Sequence, residues 1–284
     1  MRGRFPVMVF ISLLTTLPSL ARGDVANGAD EVAIHYSRAG TGRTALVFVH
    51  GWSCDRSYWS EQIGAFAADY TVVAIDLAGH GESGTDRSDW SMTSFGTDVA
   101  AVVEQEGLDE VVLVGHSMGG SVVLEAARQL GDRVALIVGV DTLQQPLAPP
   151  RSEVDSRALW ARFAEDFPAS TAGFVRRSFF LESSPPDLVD RIAEDMSAAN
   201  PTVALEAGHQ LTIYDIEAGI RANRDVPFVL INADYRPTDA DGLRQLHPRA
   251  RVALITGVGH FPMLETPAEF NELLDTVILT MLAP

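Results

Sequence analysis

The sequence is poor in cysteine, in positive charge and in long apolar runs. Cys54 is its single cysteine, which rules out an intramolecular disulfide and any metal site built on cysteines. The fold must then rest on its core alone, which a chain of 284 residues can supply. Cys54 follows a His-Gly pair outside any thiol-enzyme context and reads as a small buried residue. Lys and Arg number 21 against 38 Asp and Glu, a formal net charge of -17. Such a surface repels nucleic acid and anionic membranes and argues against both as partners. The apolar run Val7 to Leu20 is short for a membrane span of ~20 residues. Arg2 and Arg4 precede it, and Ser19-Leu20-Ala21 closes it with small residues at the -3 and -1 positions of a cleavage site. Residues 1–21 therefore read as a secretory signal peptide. The expectation is an exported protein, periplasmic or secreted, with no stable membrane association after cleavage.

The remaining composition is that of an ordinary globular protein. Uniformly apolar runs suited to a parallel sheet covered on both faces occur at Thr44 to Val49, Thr71 to Ile75, Glu110 to Val114, Val134 to Val140, Phe228 to Ile231 and Arg251 to Ile255. An alternating strand from Glu31 to Ser37 precedes them. Helical patterns separate them at Tyr58 to Ala68, Met92 to Glu106 and Met118 to Leu130, and a last helix starts at Pro267. This alternation predicts right-handed crossovers and a mostly parallel, doubly wound α/β sheet. The rhythm breaks from about Thr142 to Asp225, where aromatic residues (Trp160, Phe163, Phe167, Phe174, Phe179, Phe180) stand in helical settings. That stretch reads as a helical cap inserted in the sheet, over the strand ends where ligands bind. The expected division is a core at 31–141 and 226–284, with the cap at 142–225.

One motif carries chemistry on its face. Gly115-His116-Ser117-Met118-Gly119 lies between a strand and a helix, the context in which G-x-S-x-G forms a sharp elbow with an exposed serine hydroxyl. The helix start also points backbone donors at developing negative charge. An oxyanion hole follows as an expectation, from the amides of Met118 and of Trp52 in the turn after His50-Gly51. The base expected for Ser117 is His260, in Gly257-Val258-Gly259-His260 between the last strand and the last helix. His50 and His80 read as turn residues, and His116 as a neighbour whose side chain diverges from the serine.

Together with Asp76-Leu77-Ala78-Gly79-His80-Gly81-Glu82-Ser83, these motifs resemble the α/β-hydrolase superfamily, in its serine-nucleophile, esterase- and lactonase-like branch. The resemblance spans about Glu31 to Pro284. It implies the α/β-hydrolase fold, a Ser, acid, His order along the chain and no cofactor. The acid stays open. Many members carry it in Gly-x-x-Asp beyond the strand matching Phe228 to Ile231, and aligning Ala233 with that glycine puts Arg236 at the acid position. Asp234 comes two residues early and Asp239 three late. Asp141, directly after the preceding strand, occupies the alternative position known in some branches and is the first candidate. The implied function is hydrolysis of a small apolar carboxylic ester or lactone through an acyl-enzyme. A carbon–carbon bond hydrolase, a cofactor-free haloperoxidase and a low-turnover ligand-binding or receptor protein are the alternatives.

Overall fold

The structure is a computed structural model and describes residues 22–283; the proposed signal segment 1–21 lies outside the described residues. Eight strands form one sheet: β1 (Arg22–Asn27), β2 (Ala33–Ala39), β3 (Ala45–Val49), β4 (Thr71–Ile75), β5 (Val111–His116), β6 (Val134–Val140), β7 (Phe228–Ala233) and β8 (Arg251–Ile255). Their spatial order is β1-β2-β4-β3-β5-β6-β7-β8. The first two strands join antiparallel, and β4, β3, β5, β6, β7 and β8 run parallel. This is the expected doubly wound sheet.

Its strands form where the sequence is uninterruptedly apolar. Every residue of β3, β4, β5 and β7 is buried, because helices cover both faces of the parallel part. These include α1 (Ser60–Phe66), α2 (Met92–Gln105), α3 (Met118–Leu130) and, at the C-terminus, α11 (Pro267–Leu282). The segment Tyr58 to Ala68 starts as a 3-10 turn, Arg56–Trp59, before α1 takes over.

Two differences from the sequence reading concern the antiparallel edge. Glu31 ends a short 3-10 turn and is not in a strand; β2 starts at Ala33. Strand β1 was not anticipated. Its sequence, Arg-Gly-Asp-Val-Ala-Asn, contains Gly, Asp and Asn, which are depleted in strands, and it forms because β2 offers a free edge.

Between β6 and β7 the chain forms five helices: α4 (Glu153–Glu165), α5 (Phe167–Ser178), α6 (Pro186–Ser197), α7 (Pro201–Ile213) and α8 (Ile216–Ala222). Two further short helices, α9 (Ala240–Leu246) and α10 (Pro262–Glu265), flank β8. Among the described residues no helix is long and apolar enough to cross a membrane.

The sheet order sets the place of the site. From β3 the chain goes outward to β4, then returns across β3 to β5, so a crevice opens at the carboxyl ends of β3 and β5 where the order reverses.

Candidate active site

Ser117 stands at that crevice, between the last residue of β5 and the first of α3. Its backbone has φ 52° and ψ -117°, a region that costs a non-glycine residue about 1–3 kcal/mol and persists only when neighbours enforce it. The enforcement is visible. The Ser117 amide donates to Val140 O at 3.0 Å, while its carbonyl accepts from Gly120 N at 2.9 Å and from Thr142 Oγ1 at 2.7 Å. Glycine on either side is a packing requirement. A Cβ on Gly115 would lie 2.2 Å from Gly119 O, and one on Gly119 would lie 2.5 Å from Val49 O. Met118 opens α3, where a backbone N–H has no acceptor within the helix. The Gly51-Trp52 loop passes directly beside the serine, since a Cβ on Gly51 would stand 3.1 Å from Ser117 Cβ.

His260 and Asp141 meet. His260 Nδ1 and Asp141 Oδ2 are 2.5 Å apart, with both side chains buried. Asp141 follows β6 with φ 41°, and its carboxylate takes two further donors: Ala233 N at 3.0 Å on Oδ1 and Tyr235 Oη at 3.2 Å on Oδ2. With Nδ1–H donated to the carboxylate, the lone pair of His260 is on Nε2. The other two candidate acids are occupied elsewhere. Asp234 is exposed and accepts from Gly257 N at 3.1 Å. Asp239 caps α9 through Gly242 N at 2.8 Å. Arg236, which the family pattern would place at the acid position, donates to Ser178 O at 2.9 Å and lies over the Tyr235 ring.

The remaining histidines sort by burial and bonding. His50 donates from Nδ1 to Gly51 O and accepts Leu77 N on Nε2; burial pushes its pKa down to about 4. His80, beside it, is pushed down to about 3 by burial and by His50. Both are neutral parts of the turns after β3 and β4. Asp76 organises the second turn, accepting Arg56 N at 2.7 Å and Glu82 N at 2.9 Å. Cys54 is buried, and burial raises its thiol pKa well above the usual value, which keeps it unreactive. Among the described residues no group of three or more His, Cys, Asp or Glu could hold a metal ion.

Three contacts were not legible in the sequence. His116 does more than diverge from the serine: its Nε2 donates to His260 O at 2.7 Å and its ring lies 4.7 Å from the His260 ring. Tyr235 shares the Asp141 oxygen that meets His260. Phe179, just after α5, stacks on His260 at 4.2 Å, and its carbonyl accepts His260 N at 2.7 Å. The motif neighbourhood hinted at His116, but nothing local pointed to Tyr235 or Phe179.

Comparison with known proteins bears on the family and the fold. The model of the Alpha/beta hydrolase family matches residues 46–273. The chain belongs to the alpha/beta hydrolase family. Over 105 residues it is 34% identical to the dihydrolipoyllysine-residue acetyltransferase component of the acetoin cleaving system of Cupriavidus necator, covering 37% of this chain and 28% of that one. The chain thus spans little more than a quarter of that relative's length. It is 24% identical to 3-oxoadipate enol-lactonase 2 of Acinetobacter baylyi, covering 88% of this chain and 94% of that one. A thermophilic esterase from Thermogutta terrifontis shares the fold with a TM-score of 0.81 at 23% identity, over 92% of this chain and 99% of that one.

Proposed function

We propose that this alpha/beta hydrolase family member is a serine hydrolase that cleaves carboxylic esters or lactones through an acyl-enzyme. The observation that carries the reading is the strained Ser117 at the start of α3, next in the chain to His116, whose ring bonds the carbonyl of His260 in the buried His260–Asp141 pair. Ser117 is the nucleophile. Its oxygen bonds to the carbonyl carbon while His260 Nε2 takes its proton. The carbonyl electron pair moves onto oxygen, and the amides of Trp52 and Met118 receive the oxyanion. Collapse of this intermediate breaks the bond to the leaving oxygen, which takes the proton from His260. Water then enters, gives a proton to His260 and attacks the acyl carbon, releasing the acid and restoring Ser117. Asp141 fixes the tautomer of His260 and stabilises the imidazolium formed in each half-reaction. His116 and Tyr235 position the pair from outside the reacting atoms.

Steady-state hydrolysis of p-nitrophenyl acetate by wild type and Ser117→Ala tests the reading. Sustained turnover in wild type, lowered at least about a thousandfold in the variant, is expected. Equal turnover in both proteins would remove Ser117 from the mechanism.

A further inference from the structure

Both flanks of Ser117 are joined by a run of aromatic rings. On one side, Trp52 carries the proposed oxyanion amide, and its ring lies 5.2 Å from Trp160. Trp160 is 5.0 Å from Phe163, Phe163 is 5.6 Å from Phe174, and Phe174 is 4.9 Å from Phe179. Phe179 closes the arc on His260 at 4.2 Å. The middle three rings are only partly buried, packed against the core but not enclosed by it.

The wall is fixed in place before any ligand arrives. Trp52 Nε1 donates to Ala204 O at 2.7 Å and Trp160 Nε1 to Thr212 Oγ1 at 3.2 Å, both on α7. Between these anchors, Gly208 leaves room for the indole: a Cβ there would stand 2.3 Å from Trp160 Cη2. Neither tryptophan can turn aside without giving up a hydrogen bond. A rigid aromatic wall favours a flat apolar group, which gains offset and edge-to-face contacts beyond its buried area.

Charge narrows the class further. No cation–π contact of the described residues falls on a ring of the arc: Arg87 lies over Trp90 and Phe95, and Arg236, bonded to Ser178 O beside Phe179, lies over Tyr235. A carboxylate held against Trp160 and Phe163 would be desolvated with no cation over either ring, in a protein already carrying a net charge of -17. Resting on the serine-hydrolase reading above, we infer that the site takes uncharged esters bearing an aryl group, and that Trp160 and Phe163 set this preference.

The test compares kcat/KM for benzyl acetate, ethyl acetate and 4-(acetoxymethyl)benzoate, alongside p-nitrophenyl acetate with wild type and Ser117→Ala. Benzyl acetate is expected to exceed ethyl acetate by at least about tenfold and the carboxylated analogue by on the order of a hundredfold. The benzyl-to-ethyl ratio should fall by about tenfold in Trp160→Ala, and likewise in Phe163→Leu should the first variant misfold. Binding to Ser117→Ala, followed through quenching of tryptophan fluorescence, gives the same ranking without turnover. Equal handling of the neutral and carboxylated esters, or a ratio unmoved by both variants, would overturn the inference while leaving Ser117-dependent turnover intact. Loss of Ser117 dependence would instead overturn the underlying reading.

Discussion

Replacing Asp141 by Asn isolates the part of the site that sequence order left open. Three donors converge on this carboxylate: Ala233 N–H on Oδ1, and Tyr235 O–H and His260 Nδ1–H on Oδ2. An amide offers one oxygen and one NH2 where the carboxylate offered two oxygens. With the NH2 toward Ala233, a buried N–H loses its acceptor, at a cost of about 2 kcal/mol. With the NH2 toward His260, the imidazole must accept on Nδ1 and carry its proton on Nε2, where it cannot take one from Ser117. The second arrangement wins by about 2 kcal/mol, leaving roughly one molecule in thirty with the productive tautomer. The imidazolium of the transition state also loses a charge-assisted bond of about 1.5–3 kcal/mol, a further ten- to hundredfold. The expected fall in kcat/KM on p-nitrophenyl acetate is therefore on the order of 10³-fold. Asp234→Asn is the matched control. Its exposed side chain keeps an oxygen for Gly257 N, and a change below about twofold is expected, within the range of ordinary surface substitutions. Thermal melts of both variants establish that they fold. Losses within about fivefold of each other would refute the reasoning, because the donor geometry treats the two aspartates very differently.

Two further predictions concern the whole molecule. His50 and His80 have pKa values pushed down to about 4 and about 3, so the unfolded chain takes up protons that the folded one refuses. Their contribution is fully present above the unfolded value of ~6.5 and is lost as the pH falls from there toward about 4 and 3. Between pH 7.5 and pH 5 the loss is about 4 kcal/mol, with His116 acting in the same direction. Asp98, pushed up to about 6 by burial, offsets about 1 kcal/mol of it. Denaturant midpoints measured at the two pH values should differ clearly, and coincident midpoints would mean that these imidazoles are not held neutral. Separately, we propose export with cleavage after Ala21, for which N-terminal sequencing of protein recovered from a secreting host should begin at Arg22. A chain that retains residues 1–21 would remove the exported location from the reading.

What the sequence made legible was local. The strand, elbow and helix around Ser117 could be read because apolar run, glycine spacing and helix pattern all bear on a dozen adjacent residues. The order of alternating strands and helices carried the doubly wound sheet for the same reason. Strand β1 escaped because its residues have little strand preference and it is held by distant partners, β2 along its edge and Gln105 of α2 on Val25 O. The choice among Asp141, Asp234 and Asp239 depends on which strand end faces the loop after β8, a relation across 119 residues in the case of Asp141. Arg236 was visible as a departure from the family pattern, but its bond to Ser178 O belongs to the packing of the inserted helices on the β7 loop. Tyr235 gave no signal and Phe179 stood out only as one cap aromatic among several, since their contacts exist only once distant segments are brought together.

The inserted helices grip the site on both sides. Ala204 of α7 holds the Trp52 ring, and Phe179 after α5 holds His260 by its carbonyl and its ring. Swinging these helices away as a rigid lid would break both grips, leaving the Trp52 ring without its bond to α7 and His260 held by Asp141 and His116 alone. Covering the crevice and tightening the two sides of the site are then coupled, because the same helices do both. A substitution in α7 or just after α5 therefore reaches the residues around Ser117 without touching any of them in sequence.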